Sequence, residues 1–366
     1  MGVSLGMTAS FAPQPSPQRQ PADVSQYTGK ITKLREQVRV LVRRWVADGR
    51  LVRPDGFVYA VDVAQLLACM VDAGDAEGYK ALRGQALAHL VVDDPSDPLT
   101  RGFVLWRYSP DDTGAAKDAS GTTEALRTAE ALWHGADAFG RPEDRDLAAV
   151  ILRGYARHAA VDKDVWIVRN YFGFGTRSFA TNSFLVDYDP DFVRAVADKT
   201  GDAGLRQLAD QSYAVVKGAL TPAGLLYDLI QPELKTMYPL LESVVTFSPN
   251  DVVQLSNVCT VALTVTRGAP DVAARVLKFA TDRLATLRMY HYGRTGEAVN
   301  DTAPGINEWS GLVRLAAELG DRAAAARLLP GAMAAWDYYY NHLAPSTPDA
   351  YVASEAIASM SAVLAL

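Results

Sequence analysis

Cysteine and histidine are scarce in this sequence, and their scarcity excludes two common ways of building a site. The two cysteines, Cys69 and Cys259, each lie within an apolar helical run and read as small buried hydrophobes rather than a disulfide or a reactive thiol. Five histidines are scattered, with no pair four residues apart and none at zinc-binding spacing, so no metal site is expected. No apolar stretch runs to about 18 residues without a charged or strongly polar interruption, which predicts no membrane-spanning helix. Charge of one sign is never concentrated. The net charge is −6 without any block of like charges, which argues against a nucleic-acid footprint or an anionic-membrane patch. A phosphate loop, a dinucleotide fingerprint, a nucleophile elbow and an Asp-Asp-x-x-Asp box are all missing, so no organic cofactor is implied. Met1–Phe11 has neither a basic start nor an apolar centre, and makes a poor signal peptide. A cytoplasmic protein is the expectation, with secretion the alternative if a leader has been removed.

What is present is helix. The 366 residues exceed what one core usually needs, and length alone suggests two domains. No internal linker divides the chain, however, and a closed helical barrel accommodates the length. Residues 1–27 carry Pro-Gln-Pro-Ser-Pro-Gln-Arg-Gln-Pro and read as a disordered tail, leaving residues 28–366 as one domain. Ile31, Leu34, Val38, Leu41 and Trp45 recur at helical spacing, as do Val272, Val276, Phe279 and Leu287.

The connections carry more information than the helices. A short turn of Gly with a nearby acidic residue recurs at Gly74-Asp75, at Gly140 with Glu143 and Asp144, at Gly201-Asp202, at Gly268 with Asp271, and at Gly320-Asp321. Glycine suits the left-handed position that ends a helix, and aspartate caps the next one. Between these turns lie long connections at 49–57, 93–118, 161–186, 219–249, 291–306 and 343–350. Short and long joints alternate strictly. This predicts helices over 28–48, 58–73, 75–92, 120–139, 143–160, 187–200, 202–218, 250–267, 271–290, 307–319, 321–342 and 351–366. Helices that follow a short turn are charged and amphipathic. Most that follow a long loop are apolar nearly all round, as in Val63-Ala-Gln-Leu-Leu-Ala-Cys-Met-Val, and a helix apolar on every face is buried on every face. Six such hairpins make an all-α (α/α)6 barrel, with the inner helices starting at the long-loop end.

Near each inner N-terminus stands a carboxylate: Asp62, Glu124, Asp187 with Asp189 and Asp191, Asp251, Glu308 and Glu355. Acidic residues cap first turns as a matter of course. Six inner helices aiming them at one mouth would instead crowd them, so that one stays protonated while another ionises. The long loops add aromatics, among them Trp106, Tyr108, Trp166, Tyr171, Tyr227 and Tyr292. Rings beside carboxylates resemble a sugar cleft, where pyranose faces stack and hydroxyls find hydrogen bonds.

These segments resemble the family 8 glycoside hydrolases over roughly residues 55–265. Residues 120–139, Ser-Gly-Thr-Thr-Glu-Ala-Leu-Arg-Thr-Ala-Glu-Ala-Leu-Trp-His-Gly-Ala-Asp-Ala-Phe, keep the frame of that family's signature, with Ala129, Ala131, Leu132 and Phe139 in place. Pro190-Asp-Phe-Val-Arg194 looks like the opening of the next inner helix, Gly224-Leu-Leu-Tyr-Asp228 is similar to the family's Gly-Leu-x-Pro-Asp, and Phe247-Ser-Pro-Asn-Asp251 stands where it has Phe-Ser-Tyr-Asp. The resemblance implies an inverting enzyme on an (α/α)6 barrel. Three positions depart from it. Tyr59 replaces the general-acid Glu, with Asp62 one turn on; Thr123-Glu124-Ala125 replaces Asp-Gly-Asp; and Asn250 takes the place of the base, with Asp251 next to it.

The leading reading is a glycosidase-like enzyme acting on a saccharide by inversion, with Asp62 or Glu124 as acid, Asp251 as base, and Asp187 and Asp228 next in line. Tyr59, Trp106, Trp166, Tyr171, Asn250, Tyr292 and Glu308 would bind the substrate. A second reading keeps the barrel and changes the chemistry to cyclisation, isomerisation or elimination of a non-sugar molecule. A third is a saccharide-binding barrel without catalysis.

Overall fold

The computed structural model describes residues 23–48, 51–110, 118–234, 246–345 and 349–366. Residues 1–22 of the expected tail lie outside the described residues. Its last five do not behave as a tail: Val24–Tyr27 forms a 3-10 turn, Asp23 accepts a hydrogen bond from the Ser25 amide, and Val24 is buried.

Twelve long helices are described: α1 Thr28–Ala47, α2 Ala60–Ala73, α3 Ala76–Leu90, α4 Thr122–Phe139, α5 Pro142–Ala156, α6 Pro190–Thr200, α7 Ala203–Gly218, α8 Leu255–Leu263, α9 Pro270–Asp282, α10 Ile306–Glu318, α11 Arg322–Tyr338 and α12 Ala350–Ala365. They form the (α/α)6 barrel that the alternating joints predict. Among the inner helices α2 packs on α4, α8 on α10, α10 on α12, and α12 back on α2. The inner faces are built from small and branched side chains. In α2, Val63, Leu66, Leu67 and Met70 are all buried, and in α12 so are Ala353, Ala356, Ile357 and Met360.

The short turns work as punctuation. Gly74 and Gly201 take the left-handed conformation past α2 and α6, and Asp75 and Asp202 cap the helices that follow. Gly268 is different. It does not adopt a positive φ; a Cβ there would collide with the Tyr213 ring, so packing and not conformation requires glycine. Outer helices are tied in by charge. Asp144 at the start of α5 is fully buried, with ion pairs to Arg83 of α3 and Arg141, and accepts the Tyr79 hydroxyl at 3.0 Å.

The long connections hold short strands, in sheets of two or three among the described residues. The helices expected over 143–160 and 271–290 end early, at Ala156 and Asp282, ahead of strands Ala159–Asp162 and Tyr290–Tyr292, and two others start late. The helix expected over 250–267 starts only at Leu255. Asn250 and Asp251 both adopt left-handed backbone, and Val252–Gln254 pairs with Tyr290–Tyr292 as strands, a pairing that suits a β-branched run against aromatics. The helix expected from 187 begins at Pro190. The 3-10 turn Leu185–Asp187 before it is the part that packs against both α4 and α8.

Candidate active site

The mouth is organised by the start of α4. Strand Ala119–Gly121 pairs with Tyr171–Gly173, and the Thr122 hydroxyl and amide both donate to the Asn170 carbonyl, which fixes where the helix begins. Glu124 lies in the first turn and folds back over Gly121, where any Cβ would overlap its carboxyl. Burial raises the Glu124 carboxyl above its ordinary range, against the stabilising pull of its own backbone N–H.

Beside it stands Asp187, 1% exposed. It accepts hydrogen bonds from the Thr123 hydroxyl and, at 3.2 Å, the Phe184 amide. Burial pushes it up to about 7, and Glu124 adds to the rise. A three-stranded sheet of Ser183–Phe184, Leu229–Ile230 and Thr246–Phe247 sets the third carboxyl alongside. The Leu185 amide donates to the Asp228 carbonyl at 2.8 Å. The Asp228 side chain accepts the Ser248 hydroxyl at 3.0 Å and a further hydrogen bond from Asn257 of α8, while burial raises its carboxyl too. Glu124, Asp187 and Asp228 are thus carried by adjoining elements, and all three lean toward the protonated form.

The remaining predicted residues are placed otherwise. Asp62 is 5% exposed and held by both arms of Arg53, at 2.7 and 2.8 Å, so its carboxylate is occupied. Glu308 caps α10 through the Gly305 amide at 2.8 Å, with Gln254 at 3.5 Å. Asp251 does not begin a helix, as expected, but sits in the left-handed loop before one. Its carboxylate accepts the Tyr227 hydroxyl at 3.0 Å and the Arg294 amide at 3.2 Å. Asn250 next to it is exposed. Tyr59 donates its hydroxyl to Asp55 at 2.5 Å, with its ring under Arg53 and edge-on to Trp106. Trp106 in turn donates to Asp118 at 2.7 Å and lies beneath Arg107. Tyr171 and Tyr292 are exposed at their strands, 46% and 37%. Trp166 packs toward Tyr188 in the hairpin of Ala159–Asp162 and Val165–Val168.

Two expectations need correction. Asp189, Asp191 and Glu355 do not join the mouth. They line the barrel lumen beside Thr264 and Arg267, at the short-turn end of α8. Asp191 caps that turn, accepting the Arg267 and Gly268 amides at 2.8 and 2.9 Å. The reason is that α6 starts late and low, whereas Glu355 lies beyond the first turn of α12. Sequence reasoning missed the partners Arg53 and Asn257; Thr123, Tyr227 and Ser248 lie within the motifs it singled out, but without these pairings.

Among the described residues, no group of three or more His, Cys, Asp or Glu is placed to hold a metal ion, and no helix is long and apolar enough to cross a membrane. No protein-family model matches the chain, and no curated protein matches it. Solved structures do. A β-1,3-1,4-glucanase from Paenibacillus sp. X4 superposes with a TM-score of 0.64 at 13% identity, over 91% of this chain and 92% of that one. An α-amylase from Clostridium perfringens gives 0.64 at 12%, over 84% and 87%. An endoglucanase from Klebsiella pneumoniae, described as a family 8 glycosyl hydrolase, gives 0.54 at 14%, over 81% and 99%. The chain therefore has the helical barrel fold of these glycosidases.

Proposed function

We propose that this chain is a glycosidase-like enzyme that hydrolyses a saccharide by inversion, with Glu124 as the acid and Asp251 as the base. The observation that carries the reading is a carboxyl pair, half-buried Glu124 in the first turn of α4 and buried Asp187 beside it. Glu124 is held toward its protonated form next to a second raised carboxyl, Asp187, and this is the state an acid needs before it protonates a glycosidic oxygen. Asp187 acts behind it: while protonated it adds no charge, and once ionised it keeps the Glu124 proton in place by repulsion. Asp251 has the opposite setting. Hydroxyl and amide donors face its carboxylate and orient it to take a proton from water. Tyr171 and Tyr292 offer stacking faces for sugar rings. Inversion calls for about 6.5–9.5 Å between acid and base, leaving room for that water. The solved structures of similar fold include glucanases, an amylase and exo-oligoxylanases by name, which favours a saccharide substrate.

One observation favours a second reading, in which the same mouth carries cyclisation, isomerisation or elimination. Asp62, the carboxylate closest to the family's acid position, is committed to Arg53, and Tyr59 at that position is a phenol. A panel of α- and β-linked glucans and oligosaccharides, scored for new reducing ends and for anomeric configuration by NMR, separates the two. Release of the inverted anomer supports hydrolysis by this pair; no cleavage across the panel overturns it.

A further inference from the structure

The lumen of the barrel opens at the end opposite the long loops, and the opening is chemically furnished. A cavity of about 590 Å³ is bounded by α2, α4 and α12. It reaches Asp72, Asp137 and Ala138, in the last turns of α2 and α4, where the chain turns short. A smaller recess of about 130 Å³ extends it toward α6 and α8. Arg127, Glu130, His134, Arg314 and Glu355 line both. Arg127, Glu130 and His134 fall at intervals of three and four along α4, one polar stripe on a helix whose other faces are apolar.

The two guanidinium groups are paired loosely. Arg127 stands 3.7 Å from Glu130, and Arg314 stands 3.5 Å from Glu355 and 3.9 Å from Glu318. Neither donates a hydrogen bond to any described residue; Glu355 instead accepts one from Gln65 at 2.9 Å. Burial works against the Arg127 charge, but Glu130, Glu355, Tyr351 and Asp189 more than offset it, so the guanidinium stays charged. Both arginine side chains are half-buried, and an Arg presents up to five N–H donors that a molecule in the cavity can meet. Across from them the wall is apolar and small, from Ala64, Ala68, Ala131, Ile357 and Ala358.

The charge balance narrows the ligand. Asp191 is committed to the turn after α8, and Glu318 sits at the rim, 39% exposed. Asp189 is committed to the start of α6, where it accepts the Phe192 amide at 3.0 Å, and burial and Glu130 raise its carboxyl. Asp72 is committed to Arg39, Asp137 to Arg145, and Arg267 is exposed at the turn, which leaves two cations, Arg127 and Arg314, facing two anions, Glu130 and Glu355, with His134 beside them. An anion such as phosphate would meet both carboxylates, and a simple cation would meet both arginines. A molecule bearing one charge of each sign meets neither conflict.

We infer that the short-turn end of the lumen is a second ligand site, distinct from the mouth, for a zwitterion of the amino-acid or short-peptide class. The ligand's carboxylate lies on Arg127 and Arg314, its ammonium on Glu130 and Glu355, and its side chain along the alanine-rich wall. The site does not depend on what the mouth does.

The test is calorimetric titration of the full chain with L-leucine and with leucyl-alanine. N-acetyl-leucine, leucinamide and cellobiose serve as probes lacking the ammonium, the carboxylate or both charges. At least one zwitterion should bind, and each blocked derivative should bind at least about 10-fold more weakly, the loss of one charge-assisted contact. Ala68→Trp, which fills the exposed wall position without touching a charge, should abolish that binding. Should Ala68→Trp fail to fold, Arg314→Gln decides: it should weaken leucine while leaving the already weak leucinamide unchanged. No binding by either zwitterion, equal binding by the blocked forms or by cellobiose, or binding undiminished in the variant that folds would overturn the assignment.

Discussion

The two ends of this barrel treat charge differently. At the mouth every carboxylate has close company: Asp62 has Arg53, Glu308 has the Gly305 amide, Asp251 has Tyr227 and Arg294, and Asp187 has Thr123 and Phe184. Glu124 and Asp228 are quietened by burial. At the short-turn end, opposite charges form ion pairs at 3.5 to 3.7 Å, and the arginines there make no hydrogen bond to a described residue. The first pattern holds side chains in fixed positions, which is what proton transfer requires. The second leaves donors and acceptors lining a cavity. Counting acidic residues would have called both ends alike; tracing each hydrogen bond separates them.

The sharpest way to break the comparison is to remove the mouth's proposed acid and base. Glu124→Gln and Asp251→Asn keep shape and hydrogen bonding but cannot transfer a proton, and each should lower kcat by about 10²–10⁴-fold with KM little changed. The true acid's variant should recover in part on an aryl glycoside whose leaving group needs no protonation. Steady-state kinetics on the substrate found in the panel checks both. Unchanged kcat in either would return the mouth's carboxylates to a capping role.

A third carboxylate calibrates what full engagement is worth to the fold. Asp144 is buried with two arginines and a tyrosine hydroxyl on it, outside both sites. Asp144→Ala strands those partners and should cost about 3–5 kcal/mol in denaturant unfolding, the range for breaking a buried pair. Arg314→Gln, at the loosely paired end, should cost far less, because no hydrogen bond is lost.

Much of this was legible in the sequence, because helix punctuation is local. Gly74-Asp75 and Gly201-Asp202 announce their turns within two residues, and the twelve helices follow from them. What was illegible depends on distant pairing. Val252–Gln254 becomes a strand only because Tyr290–Tyr292 comes alongside, and this moves Asp251 off a helix start. Asp187 meets Thr123 across 64 residues, and Arg35 meets Ser361 across 326. The polar stripe Arg127, Glu130, His134 was visible in principle, since an inner helix has no other reason to carry charge into a lumen.

Acidity offers a gentler probe of the mouth. Asp187 titrates near 7 in the fold, above the roughly 3.9 of an unfolded Asp. The folded state therefore holds the extra proton, and this group's contribution to stability is fully present below about 4 and lost as pH rises through about 7. Asp187→Asn retains an oxygen for Thr123 and Phe184 and removes the titration. The variant should thus gain on the parent as pH rises from 5 to about 8, read as the difference in denaturant midpoint. A difference that is flat with pH would mean that Asp187 is ionised throughout and is no neutral partner for Glu124.

The smallest expected effect falls on the residue that takes the place of the family's acid. Tyr59 is tied by its hydroxyl to Asp55, and this contact holds its proton: burial and Asp55 both raise the phenol above its ordinary range, Asp55 being the larger cause. A phenol held that tightly is a poor proton donor near neutral pH, and its ring is already occupied by Arg53 and Trp106. Tyr59→Phe keeps the ring and both of those contacts. With Glu124 as the acid, kcat should fall by less than about 10-fold, and its pH dependence should keep its shape, since proton-transfer groups are worth about 10²–10⁴-fold and a positioning contact much less. If Tyr59 were itself the acid, the same change would remove the alkaline limb of the pH profile and cost the full factor. The two outcomes differ in magnitude and in pH profile, so one variant assayed between pH 5 and about 10 decides whether the acid has moved to α4 or has stayed at the start of α2 as a phenol.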